Sequence, residues 1–257
     1  MGAYSTAVLA LSPAQFLELQ EAAAGTADDS SSNSRDGTLY DPITYQQASL
    51  LAAEPSVFSL TIGTGGAIDT TFAGWTGSLT AVGWARRAST TGNHCLVGGD
   101  SVLLRCNTGV QTCSWFPDTG GGGVTWTGTP IPTASEFMWA LTYNNSTFGS
   151  ELFINGVSQG TKTNGSGFNA PGDVMWGTWG GGGTNADPFG GRISHEAFFP
   201  SILSGADILN LYNIGLSGVI QTLLPDADVV TTGWTTTPLF SKVNDSSDAT
   251  VITATGA

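Results

Sequence analysis

Short runs of apolar and β-branched residues recur along the chain with Gly, Asn or Pro between them. They lie at Val57 to Ile62, Leu79 to Arg86, Ser101 to Cys106, Val110 to Phe116, Phe137 to Tyr143, Glu151 to Ile154, Val157 to Gly160, Val174 to Trp179 and Arg192 to Phe199. Runs of this length and spacing predict the strands of a sandwich or barrel. In Phe137-Met138-Trp139-Ala140-Leu141-Thr142-Tyr143 the large residues occupy every second position, so Phe137, Trp139, Leu141 and Tyr143 are expected on one core-facing side. Glu151-Leu152-Phe153-Ile154-Asn155-Gly156-Val157-Ser158-Gln159 predicts a hairpin, because Asn-Gly supplies the two positive φ values of a type I′ turn.

One helix is expected, after Pro200. Ser204-Gly205-Ala206-Asp207 has capping-box spacing, with Asp in place of Glu or Gln. Ile208, Leu211 and Tyr212 follow at helical intervals, and Gly215 is the expected C-terminal cap of a helix of about ten residues. Earlier, Leu9 to Leu19 is an apolar cluster that leads into the turn-forming run Asp28 to Gly37. After Gly218 the chain turns to Thr, Asp and Ser with scattered large apolar residues. The expected division is therefore a sandwich over 1–217 and a small β-rich extension over 218–257.

Composition agrees with an all-β chain. Of 257 residues 36 are Gly, and only 11% are charged, which suits tight polar turns better than long exposed helices. Seven Lys and Arg against twenty Asp and Glu leave a net charge of −13, which repels phosphate backbones and argues against a nucleic-acid partner. Met1 to Ser12 has no Lys or Arg and a short apolar stretch, so it does not read as a secretory signal, and no apolar run is long enough to insert in a membrane. Cys95, Cys106 and Cys113 form an odd set without a CxxC pair, which argues against a disulfide framework or a zinc knuckle.

These features together resemble the laminin G-like, concanavalin A-like lectin class over roughly residues 4 to 216. The resemblance rests on Trp139 to Tyr143 followed by Leu152-Phe153-Ile154-Asn155-Gly156, and on the closing Gly190-Gly191-Arg192-Ile193-Ser194-His195-Glu196-Ala197-Phe198-Phe199 with Leu203-Ser204 and Ile208-Leu209-Asn210-Leu211-Tyr212. It implies an antiparallel β-sandwich jelly roll with one short C-terminal helix. Ala10-Leu11-Ser12-Pro13, Asp29 to Thr38 and Leu224 to Trp234 resemble segments of bacteriophage virion proteins. Where such modules carry Tyr-Trp, Arg-Leu and Gly-Glu, this chain has Phe16 to Glu21.

The resemblance class includes glycoside hydrolases, which need two carboxylates flanking the scissile bond, commonly as Glu-x-Asp-x-x-Glu. That spacing is absent; the Glu residues stand apart at 18, 21, 54, 136, 151 and 196. Ser194, His195 and Glu196 are neighbours on a strand, so alternation keeps them from forming a relay, and no Gly-x-Ser-x-Gly elbow occurs. His195 and His94 read as structural, His94 having no second His or paired Cys nearby to complete a zinc site. Gly120 to Gly123 and Gly180 to Gly183 lack the Lys-Ser or Lys-Thr of a phosphate-binding loop. No cofactor is expected except calcium, for which Asp29, Ser31, Asn33 and Asp36 supply hard oxygens; the alternative is a capped turn. Trp115, Trp126 and Trp179 are candidate sugar platforms, with core packing or subunit contact as the alternative for each.

The functional expectation is a non-enzymatic virion protein, a capsid decoration or tail-associated module, displayed outside the particle and assembled in the host cytoplasm. Its expected partners are other virion proteins and further copies of itself, docked through Trp234, Leu239, Phe240 and Ile252. The rival expectation is a carbohydrate-binding adhesin for a host surface glycan, and a glycan-cleaving enzyme ranks last.

Overall fold

The computed structural model describes residues 1–71, 77–88, 93–99, 102–107, 111–117, 122–128, 131–132, 134–165, 167, 173–179 and 187–218. In chain order these form α1 (Ala3–Ala10), β1 (Gln15–Leu17), β2 (Thr26–Ala27), β3 (Gly37–Tyr40), β4 (Ile43–Ala48), β5 (Phe58–Ile62), β6 (Ala67–Thr71), β7 (Leu79–Arg87), β8 (Asn93–Gly99), β9 (Leu103–Asn107), β10 (Thr112–Phe116), β11 (Val124–Thr127), β12 (Phe137–Asn144), β13 (Gly149–Ile154), β14 (Val157–Thr163), β15 (Asp173–Trp176), β16 (Gly191–Phe199) and α2 (Gly205–Ser217). They fall in one unit, Met1–Gln221. Trp234, Leu239, Phe240 and Ile252, the expected docking anchors, lie outside the described residues.

Two antiparallel sheets of eight strands face each other. The first runs β14-β13-β12-β7-β16-β5-β4, and β1 pairs with the later part of β16 while β5 pairs with its start. The second runs β11-β10-β9-β8-β15-β6-β3-β2. This is the expected all-β sandwich.

The core has two layers. Between the sheets lie Phe137, Trp139, Leu141 and Tyr143, as the alternation in β12 predicts, packed with Trp115, Trp126 and Trp176 of the second sheet. The intervening Met138 and Ala140 are also buried, in a second layer on the outer face of the first sheet. There Trp84, Val82 and Phe199 meet Tyr4 and Val8 of α1 and Ile208, Leu211 and Ile214 of α2. Period-two reading finds only the inter-sheet layer, because a strand covered on both faces has no polar side to alternate with.

Local signals fix several elements. Asn155 and Gly156 have φ of 53° and 74°, the pair of positive values that closes the β13–β14 hairpin. Ser204 Oγ accepts from the Asp207 amide at 3.1 Å and Asp207 Oδ2 accepts from the Ser204 amide at 3.0 Å, so Asp completes the capping box. The C-terminal cap is Gly218, at φ 68°, and not Gly215 as expected. Gly215 lies inside α2, where a Cβ would run into the Trp84 indole; its smallness lets the helix seat on the sheet.

Two expectations need correction. A second helix exists: α1 has Gly2 as its N-cap, no side-chain cap and no charged residue at either end, so the usual start and stop signals are missing. Its Tyr4 and Val8 are fully buried, and tertiary packing supplies its stability. Cys106 and Cys113 form a disulfide. They are direct cross-strand partners on β9 and β10, and both side chains turn into the inter-sheet core, so the hairpin brings together two cysteines whose spacing matches no sequence framework. Cys95 is free and buried.

Candidate functional site

The outer face of the second sheet carries the most developed cluster of polar and aromatic side chains. On β9, Cys106 and Leu104 turn into the core, which sends Leu103, Arg105 and Asn107 outward. On β10, Cys113 and Trp115 turn inward, which sends Ser114 and Phe116 outward, opposite Arg105 and Leu103 respectively. The Cys106–Cys113 bond ties this hairpin together from beneath.

Arg105 is held from two sides. Its guanidinium carbon lies 5.6 Å from the Phe116 ring centroid, and Nη1 donates to Asp187 Oδ2 at 2.9 Å. Asn93 Nδ2 donates to Asp187 Oδ1 at 3.3 Å, and Asn107 Nδ2 donates to Asn93 Oδ1 at 2.9 Å. The result is a chain Asn107, Asn93, Asp187, Arg105 drawn from three separate segments. Ser114 and Thr125 hydroxyls bond to each other at 2.8 Å beside it. The Cys95 amide donates to the Asp187 carbonyl, and burial first, then the Asp187 charge, pushes the Cys95 thiol well up, with Arg105 opposing. Cys95 is therefore a neutral thiol, unsuited to act as a nucleophile.

Leu103, Arg105, Phe116 and Trp179 line a cavity of about 160 Å³. That is smaller than the roughly 300 Å³ at which drug-sized pockets begin. Trp179 is half-buried, its backbone crosses Gly98 where a Cβ would meet the Trp179 Cα at 3.0 Å, and its indole nitrogen has no hydrogen-bond partner among the described residues. An aromatic pair next to ordered donors and acceptors can stack on the apolar face of a sugar while fixing its hydroxyls. Asp187 is the one carboxylate this network contains among the described residues, and it already accepts from Arg105 and Asn93.

The other candidate residues sit elsewhere. Trp115 and Trp126 are each 2% exposed within the inter-sheet core, and Trp126 Nε1 donates to the Gly160 carbonyl at 2.7 Å. Neither ring offers a face to a sugar, so of the three candidate platforms only Trp179 stands at a cavity. Two-residue periodicity puts Trp115 on the same face of β10 as Cys113, which is buried in the inter-sheet core.

In the Asp28 to Asp36 loop the oxygens serve the loop itself. Asp29 accepts from the amides of Phe16, Ser31 and Arg35 and from the Ser31 hydroxyl, at 2.7 to 2.9 Å. Asp36 accepts from the Asp29 amide, and Ser31 Oγ accepts from Asn33. Four donors on one carboxylate occupy the lone pairs a calcium ion would need, so the alternative of a capped turn describes Asp29, Ser31, Asn33 and Asp36. A cavity of about 540 Å³ lies beside this loop, lined by Ser12, Pro13, Ser31, Asn33, Arg35 and Pro200 among others.

Ser194, His195 and Glu196 form no relay. A bulge interrupts β16 between Ser194 and Ala197, with His195 at φ 55°. The His195 ring packs edge-on to Tyr4 at 5.5 Å, toward α1, while the Glu196 carboxyl fills the space above Gly83. Among the described residues no ring nitrogen of His195 and no carboxyl oxygen of Glu196 has a hydrogen-bond partner, unlike most buried structural histidines. Burial lowers the His195 pKa to about 3 and raises that of Glu196 well above the carboxylate range, so both are neutral. His94 is held by the Phe189 carbonyl, and no group of three or more His, Cys, Asp or Glu among the described residues could hold a metal.

Residues 62–209, more than half the chain, match the concanavalin A-like lectin/glucanases superfamily. The chain belongs to this superfamily. Solved structures similar to this lectin-like sandwich include the botulinum neurotoxin serotype D binding domain, with 15% identity and a TM-score of 0.58 over 79% of this chain and 51% of that one. A serotype D ligand binding domain solved with N-acetylneuraminic acid matches at 15% identity and TM-score 0.59, over 82% and 52% of the two chains. A botulinum neurotoxin type C structure, described as dependent on two ganglioside molecules for cell entry, matches at 13% and 0.60 over 82% and 53%. The chain spans about half the length of these structures, and at such identity the likeness is one of fold. No curated protein matches the chain.

Proposed function

We propose that this lectin-fold module binds glycans without cleaving them, using the cleft on the outer face of the second sheet. The observation that carries the reading is the meeting of Phe116 and Trp179 with the ordered chain Arg105, Asp187, Asn93 and Asn107. Asp187 pairs with Arg105, so the polar network is electrically balanced and presents both donors and acceptors, as the hydroxyls of a neutral sugar ring require. Cleavage would need two carboxylates about 5 to 9.5 Å apart across the bond. Among the described residues the network beside the cleft has one, Asp187, and Glu196 is buried in the core at 1% exposure. The N-acetylneuraminic acid complex of one similar binding domain, and the dependence of type C cell entry on two ganglioside molecules, lend support to a glycan ligand.

Display on a phage particle, with a host surface glycan as the ligand and other virion proteins as partners, fits this activity. Its support is the resemblance of Ala10 to Pro13, Asp29 to Thr38 and Leu224 to Trp234 to virion segments. The test is a glycan array probed with the full chain, followed by calorimetry on Trp179→Ala and Phe116→Ala. The reading predicts binding at micromolar to millimolar affinity that each variant weakens by about tenfold or more. Absence of binding at millimolar sugar, or equal binding by both variants, overturns it, and release of shorter saccharides from a polysaccharide panel overturns its non-catalytic part.

A further inference from the structure

A second cavity, of about 300 Å³, lies at the end of the first sheet, lined by Thr61, Arg86, Arg87, Ala134, Gly191 and Arg192. Three of the chain's seven cationic residues therefore stand at one place in a protein of net charge −13. The clustering follows from register. Arg192 on β16 pairs with Thr61 on β5 and with Arg86 on β7, so the three side chains form one row on the same face. Gly191 pairs with Arg87 in the adjacent row, where the Arg87 guanidinium donates to the carbonyls of Ile131 and Pro132 at 2.9 to 3.1 Å.

Among the described residues the negative charge that faces the row is meagre. Arg86 Nη1 and Arg192 Nη2 share one oxygen, Oε1 of Glu136, each at 3.1 Å. Two guanidiniums, each able to grip an oxyanion with a pair of N–H groups, converge on a single acceptor atom. Glu136 itself is 38% exposed, on the segment that enters β12 after Ala134 at φ 58°. Arg192 is much less exposed and is anchored through Nη1 to the Ala48 carbonyl at 2.8 Å. Arg192 is thus fixed against the sheet, while Arg86, 39% exposed, and Glu136 reach the same point from the surface, so an external anion can take the place of the internal one.

We propose that this pocket is an oxyanion site, in which Arg86 and Arg192 hold a carboxylate or sulfate carried by a small polar ligand and Glu136 acts as the internal competitor that the ligand displaces. The cavity exceeds the size of a bare ion and leaves room for a ring bearing the charge. The site is separate from the cleft beside Trp179 and does not rest on the glycan reading of that cleft.

The test is titration of the full chain with glucuronate, sodium sulfate and, as the uncharged control, glucose, followed through the arginine Nε–Hε resonances. Glucuronate or sulfate is expected to shift the Arg86 and Arg192 signals at millimolar concentration, and glucose to leave them in place. A response to both anions assigns the site to oxyanions in general, and a response to one alone assigns it to carboxylate or to sulfate. Arg86→Gln with Arg192→Gln should weaken binding by about tenfold or more, whereas Glu136→Gln should strengthen it several-fold, roughly the effect of removing one competing charge. Trp179→Ala should not alter it. If neither anion shifts these signals, or if Glu136→Gln binds no more tightly than the parent protein, the proposal is wrong.

Discussion

The two sheets of this sandwich share an inner core but treat their outer faces oppositely. The first sheet buries its outer face under α1, α2 and the Leu50–Leu51 segment, with Trp84, Tyr4 and Phe16 almost fully inaccessible. The second sheet turns Arg105, Asn93, Asn107 and Ser114 outward, all partly exposed, around Phe116 and Trp179. One face is largely covered by helices, and the other leaves a polar and aromatic cluster open to water. The helix-covered region around Trp84 and the proposed sugar cleft beside Trp179 thus lie on different sheets, so substitutions at the two should fail in different ways.

Trp84→Ala should have the largest effect on the covered face. It removes the ring that stacks on Tyr212 at 6.0 Å and seats Gly215, and a cost of about 3 to 5 kcal/mol in urea unfolding is expected. Gly215→Val tests the same seam from the helix side. Its Cβ would meet the Trp84 indole, so α2 must shift, with an expected loss of about 1 to 3 kcal/mol and no change in affinity for a sugar held on the second sheet.

The buried pair in the β16 bulge gives a pH-dependent prediction. His195 is neutral in the folded protein down to about pH 3, while the unfolded chain takes up that proton below about pH 6.5, so this residue lowers stability as pH falls through that window. Glu196 behaves in the opposite sense. It stays protonated in the fold, the unfolded chain releases that proton above about pH 4.5, and stability falls as pH rises beyond that point. Between pH 4.5 and 6.5 the two slopes oppose each other, and above 6.5 the Glu196 slope remains. Glu196→Gln should therefore gain on the parent by at most about 1.4 kcal/mol per pH unit above pH 4.5. A constant difference between the two proteins from pH 4 to 8 would contradict the buried neutral carboxyl.

The legible part of the fold was the part set by local chemistry. The Asn155-Gly156 turn, the Ser204/Asp207 capping box and the alternation of Phe137, Trp139, Leu141 and Tyr143 each depend on neighbours within a few residues, and each appears in the structure. α1 carries no cap or charge signal, and its burial depends on β7, β16 and α2. The cleft was legible only through Trp179. Asn93, Arg105, Phe116 and Asp187 come from segments spread over about ninety residues, and only the pairing of β8, β9 and β10, with the segment before β16 bonded to Cys95, brings them together. The Cys106–Cys113 bond was hidden for the same reason.

Trp179→Ala should have the smallest effect on stability. Its ring is half-buried at the edge of the cleft, so a change within about 1 kcal/mol is expected, together with the loss of sugar binding. Comparison with Trp84→Ala then separates the faces: one variant unfolds more easily and, where folded, still binds, while the other folds normally and does not bind.

The most direct test is an amide chemical-shift map of the full chain titrated with the sugar that binds best on the array. The account predicts that the perturbed amides cluster at Asn93, Leu103 to Asn107, Ser114 to Phe116, Trp179 and Asp187, with α1, α2 and β12 unmoved. Shifts centred instead on the Ser31 to Arg35 loop or on the helical face, or no shifts at millimolar sugar, would contradict it.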